Sequence, residues 1–218
     1  MPVRTPLPRD SDAKLRHILH HSAAIFATRG FEATSIRDLS RATGIPLSGL
    51  YYYFGSKQKL LYLLQFKAFT EILETLTSRL SVVHDPGQRL RVFVQNHLEY
   101  FLSHPAEMKV LSHEEDALAE PYRREIAAIK RRYYNLAREI FDDLARQRPG
   151  PAINPRVAVL SLYGMMNWVY KWHNAKVDPD AAQLADAICT IFLHGVFNGR
   201  ASFESEGKMS LEKAGARE

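Results

Sequence analysis

Cysteine is almost absent: Cys189 is the only one in 218 residues. A single thiol forms no internal disulfide and cannot build a cysteine-based zinc site, so both classes drop out. This usage suits a reducing compartment, and a cytoplasmic location is the expectation. No run of eighteen apolar residues occurs, so nothing reads as a membrane-spanning helix. The opening MPVRTPLPRD is basic and proline-rich with no apolar stretch behind it, unlike a secretory leader. Regular apolar/polar alternation is missing, which argues against β-sheet. Glycine-rich phosphate loops, dinucleotide fingerprints and the G-x-S-x-G elbow are missing too, and with them the common signatures of an enzyme.

Hydrophobic residues make up 46% and charged residues 24%, enough for a sizeable core in a folded chain. The net charge of +5 is unevenly placed. Residues 1–72 carry ten Lys/Arg against five Asp/Glu, while the remaining 19 of each cancel. A basic module beside a neutral one points to a polyanion as partner of the first module only.

Helical periodicity runs through the chain. Residues 1–10 hold three prolines and read as a flexible arm, with Ser11 and Asp12 as candidate N-caps. Leu15, Ile18, Leu19, Ser22, Ala23, Phe26 and Ala27 then trace one helix face, and Gly30 ends it. Ser35, with Asp38 three residues on, suits the start of a short helix. Gly44-Ile45-Pro46 breaks the chain before a second short helix that Gly55 closes. Two short helices joined by a glycine-containing turn form the helix-turn-helix pattern. A long helix follows from about residue 56 to 83, then helical segments at 86–103, 105–111, 119–147, 154–173 and 180–199. The expected organisation is a helix-turn-helix unit over 11–55, a helical body over 56–200, and a polar, disordered tail over 201–218.

A helix-turn-helix places its second helix in the DNA major groove and needs donors around it for phosphates. Thr34 and Ser35 at the head of the first short helix, the Tyr51 and Tyr52 hydroxyls and the Lys57 ammonium are candidates. Base reading would fall to Arg37, Ser48 and Tyr52. Three consecutive tyrosines on a helix cannot all face one core, so at least one is exposed. The competing reading is a helical hairpin in which the tyrosines only pack.

The run Phe26-Ala27-x-x-Gly30-Phe31-x-x-Thr34-Ser35-Ile36-x-x-Leu39, then Ala42-x-Gly44-Ile45, then Leu50-Tyr51-Tyr52-Tyr53-Phe54-x-Ser56-Lys57-x-x-Leu60-Leu61, resembles the head of the TetR family of repressors. The resemblance covers residues 14–62. It implies an all-α protein of about nine helices, three of them in the head, with a DNA-binding domain over 11–55 and a ligand-binding and dimerisation domain over 56–200, acting as a homodimer on a palindromic double-stranded operator and released by a small molecule. It implies phosphate contacts at Thr34, Tyr51, Tyr52 and Lys57 and base-edge contacts at Arg37, Leu47, Ser48 and Gly49. The sequence departs from the family at Leu47-Ser48-Gly49, where a more polar triplet is usual. That shifts weight to Arg37 and to apolar contact with thymine methyls.

In the body, the 154–173 segment is apolar nearly all round, with Leu160, Tyr163, Gly164, Asn167, Trp168 and Lys171 on one face and Met165, Val169 and Trp172 on another. Together with the 180–199 segment it suits either an ordinary core pair or a four-helix dimer interface, and the family resemblance implies the dimer. The run 164–172 resembles a segment of TetR relatives that sense acyl-coenzyme A thioesters. That implies an acyl channel with basic groups for phosphates at Arg123-Arg124, Lys130-Arg131-Arg132 and Lys171, whereas such charge runs are ordinarily solvated helix faces. Candidate effector contacts are Tyr100, Arg124, Arg131, Tyr163, Asn167, Trp168, Lys171 and Trp172; aromatic or other lipophilic effectors remain alternatives. No resident cofactor or metal is expected. His17, His20 and His21 share a helical spacing but read as a solvated face. A helical enzyme or adaptor using a body cavity is the rival function, and neither needs the basic, tyrosine-rich head.

Overall fold

A computed structural model describes residues 9–114, 117–147 and 153–197. The described residues form nine helices: α1 (Arg9–Arg29), α2 (Ile36–Thr43), α3 (Leu47–Phe54), α4 (Lys57–Leu80), α5 (Pro86–Ser103), α6 (Pro105–His113), α7 (Tyr122–Gln147), α8 (Pro155–Trp172) and α9 (Ala181–Phe197). The all-α expectation holds. The start of the expected arm and the polar tail lie outside the described residues. Helix α1 already includes Arg9 and Asp10, the last two residues of the expected arm. The apolar stripe starts only at Leu15, so the preceding turn carries no periodic signal.

Local chemistry sets the ends of the head helices. Ser35 Oγ accepts from the Asp38 amide at 3.2 Å, and the Asp38 carboxylate accepts from the Ser35 amide at 2.9 Å. This is a capping box with aspartate in the glutamate position. The Ser35 hydroxyl and amide, then the Arg41 guanidinium at 2.5 Å and Arg29 at 3.6 Å, hold the Asp38 carboxyl below the usual carboxylate range. Gly44 closes α2 in the left-handed region at φ 70°, donating to Ser40 O at 3.0 Å; a side chain there would be strained. His17 Nε2 donates to Thr43 O at 2.9 Å, satisfying a carbonyl at the end of α2. That histidine therefore joins two helices instead of merely facing solvent.

The head core is Ile18, Phe26, Phe31, Leu39, Leu50 and Leu60, each at most 2% exposed. Burying a side chain of this size stabilises by about 1.5–3 kcal/mol. Long α4 leaves the head and enters the body, where α5 packs against α4, α7, α8 and α9. Asp85 and Asn154 cap α5 and α8, each followed by a proline in the first turn. Arg91 of α5 makes a two-armed ion pair with Asp186 of α9. No helix among the described residues is long and apolar enough to cross a membrane.

Candidate DNA-binding face and ligand cavity

Helix α3 buries Leu50 and Phe54 and turns Leu47, Ser48, Tyr51 and Tyr52 outward. Tyr51 is 50% exposed and Tyr52 77%. A large aromatic so exposed in a folded head is costly unless something covers it. Arg37, on α2, is exposed too. Leu47, Ser48, Tyr51 and Tyr52 share one face of α3 by helical phase.

Four other expected contacts have structural work to do, of which sequence spacing revealed only the Ser35 cap. Thr34 is 1% exposed, and its hydroxyl donates to Gly30 O at 2.8 Å. The Ser35 hydroxyl is taken up by the capping box, donating to Asp38 Oδ2 at 2.5 Å. Gly49 is half-buried, and a Cβ there would stand 2.9 Å from Ile45 Cγ2, so close packing of α3 on the turn requires glycine at this position. Lys57 Nζ donates to Phe31 O at 2.9 Å, Thr34 O at 3.2 Å and Glu32 O at 3.3 Å, and sits 4.3 Å from the Phe31 ring centroid. Its three donors are spent on the turn between α1 and α2. In this structure the Thr34 and Ser35 hydroxyls and the Lys57 ammonium are engaged in building the turn before α2.

The Phe31 peptide is held from both sides. Its carbonyl accepts from Lys57, and its N–H donates to Glu114 Oε1 at 2.8 Å. Glu114 follows the last residue of α6, and its own carbonyl accepts from Gln65 Nε2 of α4 at 3.2 Å. The head is thus fastened to the ends of two body helices.

Together with α5, α7 and α8, those helices line an open cavity of about 820 Å³, within the usual range of roughly 300–1,000 Å³ for small-molecule sites. Phe69 and Ile72 of α4, Phe101 of α5, and Met108 and Leu111 of α6 supply an apolar wall. Tyr133 and Tyr134 of α7, and Tyr163, Asn167, Trp168 and Lys171 of α8, complete it, with Lys130 and His113 also on the lining. Inside, Phe93, His97, Tyr133 and Tyr163 form a ring cluster, with Phe93 and Tyr133 stacked at 5.0 Å. Burial pushes His97 down to about 3, with nearby Asn167 opposing, and drives the Tyr133 and Tyr163 phenols well above their ordinary value. All three are uncharged at neutral pH.

Of the expected effector contacts, Tyr163, Asn167, Trp168 and Lys171 line the cavity; Tyr100, Arg124, Arg131 and Trp172 do not. Tyr100 turns toward α4 and donates to Glu71 Oε2 at 3.2 Å. Arg124 is exposed, 3.8 Å from Glu120. On α7 the inward stripe is Lys130, Tyr133 and Tyr134, and Arg131 is rotated off it into solvent. Trp172 is 49% exposed beside His173. His97 was the missed residue with a readable signal: it interrupts the apolar stripe Leu90, Phe93, Val94, Leu98 and Phe101 of α5. Phe69, Met108 and Tyr133 carry no such mark. No group of three or more His, Cys, Asp or Glu suited to a metal ion occurs among the described residues.

Residues 18–62 match the model for bacterial regulatory proteins of the tetR family, and residues 83–196 the tetracyclin repressor-like C-terminal domain. The chain is 31% identical over 106 residues to the HTH-type transcriptional repressor KstR2 of Mycobacterium tuberculosis, covering 47% of this chain and 51% of that one. The matched stretch therefore spans about half the length of this curated relative. Among solved structures, a TetR-family transcriptional regulator from Bordetella parapertussis is 30% identical, covers 88% of this chain and 98% of its own, and superposes with a TM-score of 0.76. AibR in complex with isovaleryl coenzyme A and operator DNA is 26% identical, with 84% and 98% covered and a TM-score of 0.73. The C-terminal match alone spans more than half of the sequence, and with the head match it establishes that the chain belongs to the TetR family of DNA-binding transcriptional regulators, a family of regulators and not of enzymes.

Proposed function

We propose that this protein is a repressor that binds a palindromic operator as a homodimer and leaves it when a lipophilic effector, an acyl-CoA thioester first among candidates, fills the body cavity. The observation that carries this reading is the clamp on Phe31, because it ties a cavity-lining helix to the helix-turn-helix. Met108, Leu111, Ser112 and His113 of α6 line the cavity, and Glu114 next in sequence holds the head. An effector that displaces α6 would pull on the turn that positions α2. It must bind the DNA-incompetent arrangement more tightly, by about 2.7 kcal/mol for a hundredfold loss of operator affinity.

Arg37, Leu47, Ser48, Tyr51 and Tyr52 are the proposed DNA contacts: Arg37 for base edges, the tyrosines for phosphates, Leu47 for thymine methyls. Exposed Val157, Leu160 and Trp168 of α8 and Ile191 of α9, which is 63% exposed, support a dimer built on these two helices. The acyl-CoA class is supported by the likeness to AibR, described with isovaleryl coenzyme A, and by Lys130 and Lys171 on a mostly apolar lining.

Selection from a random duplex pool with the full chain tests the reading. It should enrich a palindrome whose half-sites lie about one DNA turn, ~34–36 Å, apart, and isovaleryl coenzyme A or a longer acyl homologue should release it. Failure to enrich any sequence would overturn the operator; release by no acyl-CoA would overturn the effector class.

A further inference from the structure

Two polar atoms on the inner wall of the cavity make no well-formed hydrogen bond to the protein, although the Asn167 side chain lies near the His97 ring. His97 Nε2 and Tyr163 Oη are both closed to solvent and unbonded among the described residues. His97 is 3% exposed, and its ring centre lies 6.4 Å from that of Tyr163. A buried donor or acceptor left unmade costs about 1–3 kcal/mol, so two side by side in an apolar cavity are a feature to be explained. Chemistry narrows what would satisfy them. The Tyr133 hydroxyl lies 3.3 Å from His97 Nδ1. With burial holding that phenol protonated, its hydrogen is best placed on Nδ1 as acceptor. The proton of the neutral imidazole then sits on Nε2, which becomes a donor. Tyr163 supplies a second O–H. Two donors with no fixed charge among His97, Tyr133 and Tyr163 suit an acceptor oxygen without charge, while the cations of the lining, Lys130 and Lys171, lie over the Phe69, Trp168 and Tyr170 rings instead.

We propose that the wall between α5 and α8 recognises an uncharged carbonyl oxygen of a lipophilic effector, held by His97 Nε2–H and Tyr163 Oη–H. The proposal rests on the reading of the cavity as the effector site, and it adds what that site selects. A purely hydrocarbon ligand fills the volume but leaves both donors unmade; a ketone, ester or thioester satisfies them.

Calorimetric titration of the full chain with benzylacetone and with butylbenzene compares one ring and one four-carbon chain with and without the carbonyl. The expected result is binding of benzylacetone at least about tenfold tighter. Tyr163→Phe should abolish most of that preference while leaving butylbenzene unchanged, and His97→Phe should do likewise. S-butyryl-N-acetylcysteamine, an acyl thioester without the nucleotide, separates the carbonyl sources: whichever probe binds tighter and loses the advantage in Tyr163→Phe is the class recognised. Equal binding of ketone and hydrocarbon, or a preference untouched in both variants, overturns the proposal while the cavity reading stands. If no probe binds, the two fall together.

Discussion

Replacing Glu114 with alanine removes the carboxylate that accepts from the Phe31 amide at 2.8 Å. Phe31 is 1% exposed, so that amide has little chance of finding water instead. A hydrogen bond from a backbone N–H to a charged acceptor contributes about 1.5–3 kcal/mol. Glu114 is half-buried, and the lower end of that range applies. About 1.5 kcal/mol corresponds to roughly a tenfold rise in local opening of the turn around residues 30–34. Glu114→Gln keeps an acceptor without the charge and should lose about half as much free energy. Native-state hydrogen exchange at the Phe31 amide reads both variants without knowledge of the operator. In wild type, exchange at that amide should also respond to cavity occupancy, and in Glu114→Ala the response should vanish. If Phe31 exchanges at the wild-type rate in the alanine variant, the clamp does not hold the turn, and the proposed route from cavity to head is wrong.

Lys57→Met should destabilise the head by about 1–3 kcal/mol through three unmet carbonyls, yet leave the salt dependence of DNA binding unchanged; a slope reduced by about one would restore the phosphate contact. Tyr52→Ala, at a residue 77% exposed, should weaken DNA binding while its melting temperature shifts by the equivalent of no more than about 0.5 kcal/mol; a large loss of stability would show the ring to be structural. Gly49→Ala drives a Cβ to 2.9 Å from Ile45 Cγ2 and should cost about 1–3 kcal/mol by overpacking, relieved in part by Ile45→Val and followed by denaturant melts. His97 titrates near 3 when folded against about 6.5 unfolded, so below pH 6.5 the unfolded chain takes up the extra proton. Its contribution to stability is complete above pH 6.5 and declines continuously toward pH 3. His97→Phe should flatten that decline in melts between pH 4 and 7, and an unaltered slope would mean that the ring is not held neutral.

The head was readable because its punctuation is local. Gly44, Pro46 and Gly55 mark the turn and the ends of α2 and α3 in whatever context they fold, and α3's outward tyrosines follow from helical phase alone. What Lys57 does was not readable, since its partners lie 23–26 residues earlier in a turn that folds back on α4. The same holds for Glu114 and Phe31, 83 residues apart. In the body, the apolar wrap of α8 flagged Tyr163, Asn167, Trp168 and Lys171, whereas the basic runs of α7 misled. Arg124 and Arg131 sit among acids and solvent on its outer face, and only the rotation of the packed helix shows that Lys130, Tyr133 and Tyr134 point inward. Tyr100 was misplaced for the same reason, being claimed by Glu71 on the neighbouring helix.

Native mass spectrometry of the full chain with its selected duplex, titrated with isovaleryl coenzyme A, tests the central claim most directly. The account predicts two chains per palindromic duplex, and free duplex appearing in step with ligand-bound dimer. A persistent complex holding dimer, duplex and ligand together, or a single chain bound to DNA, would contradict it.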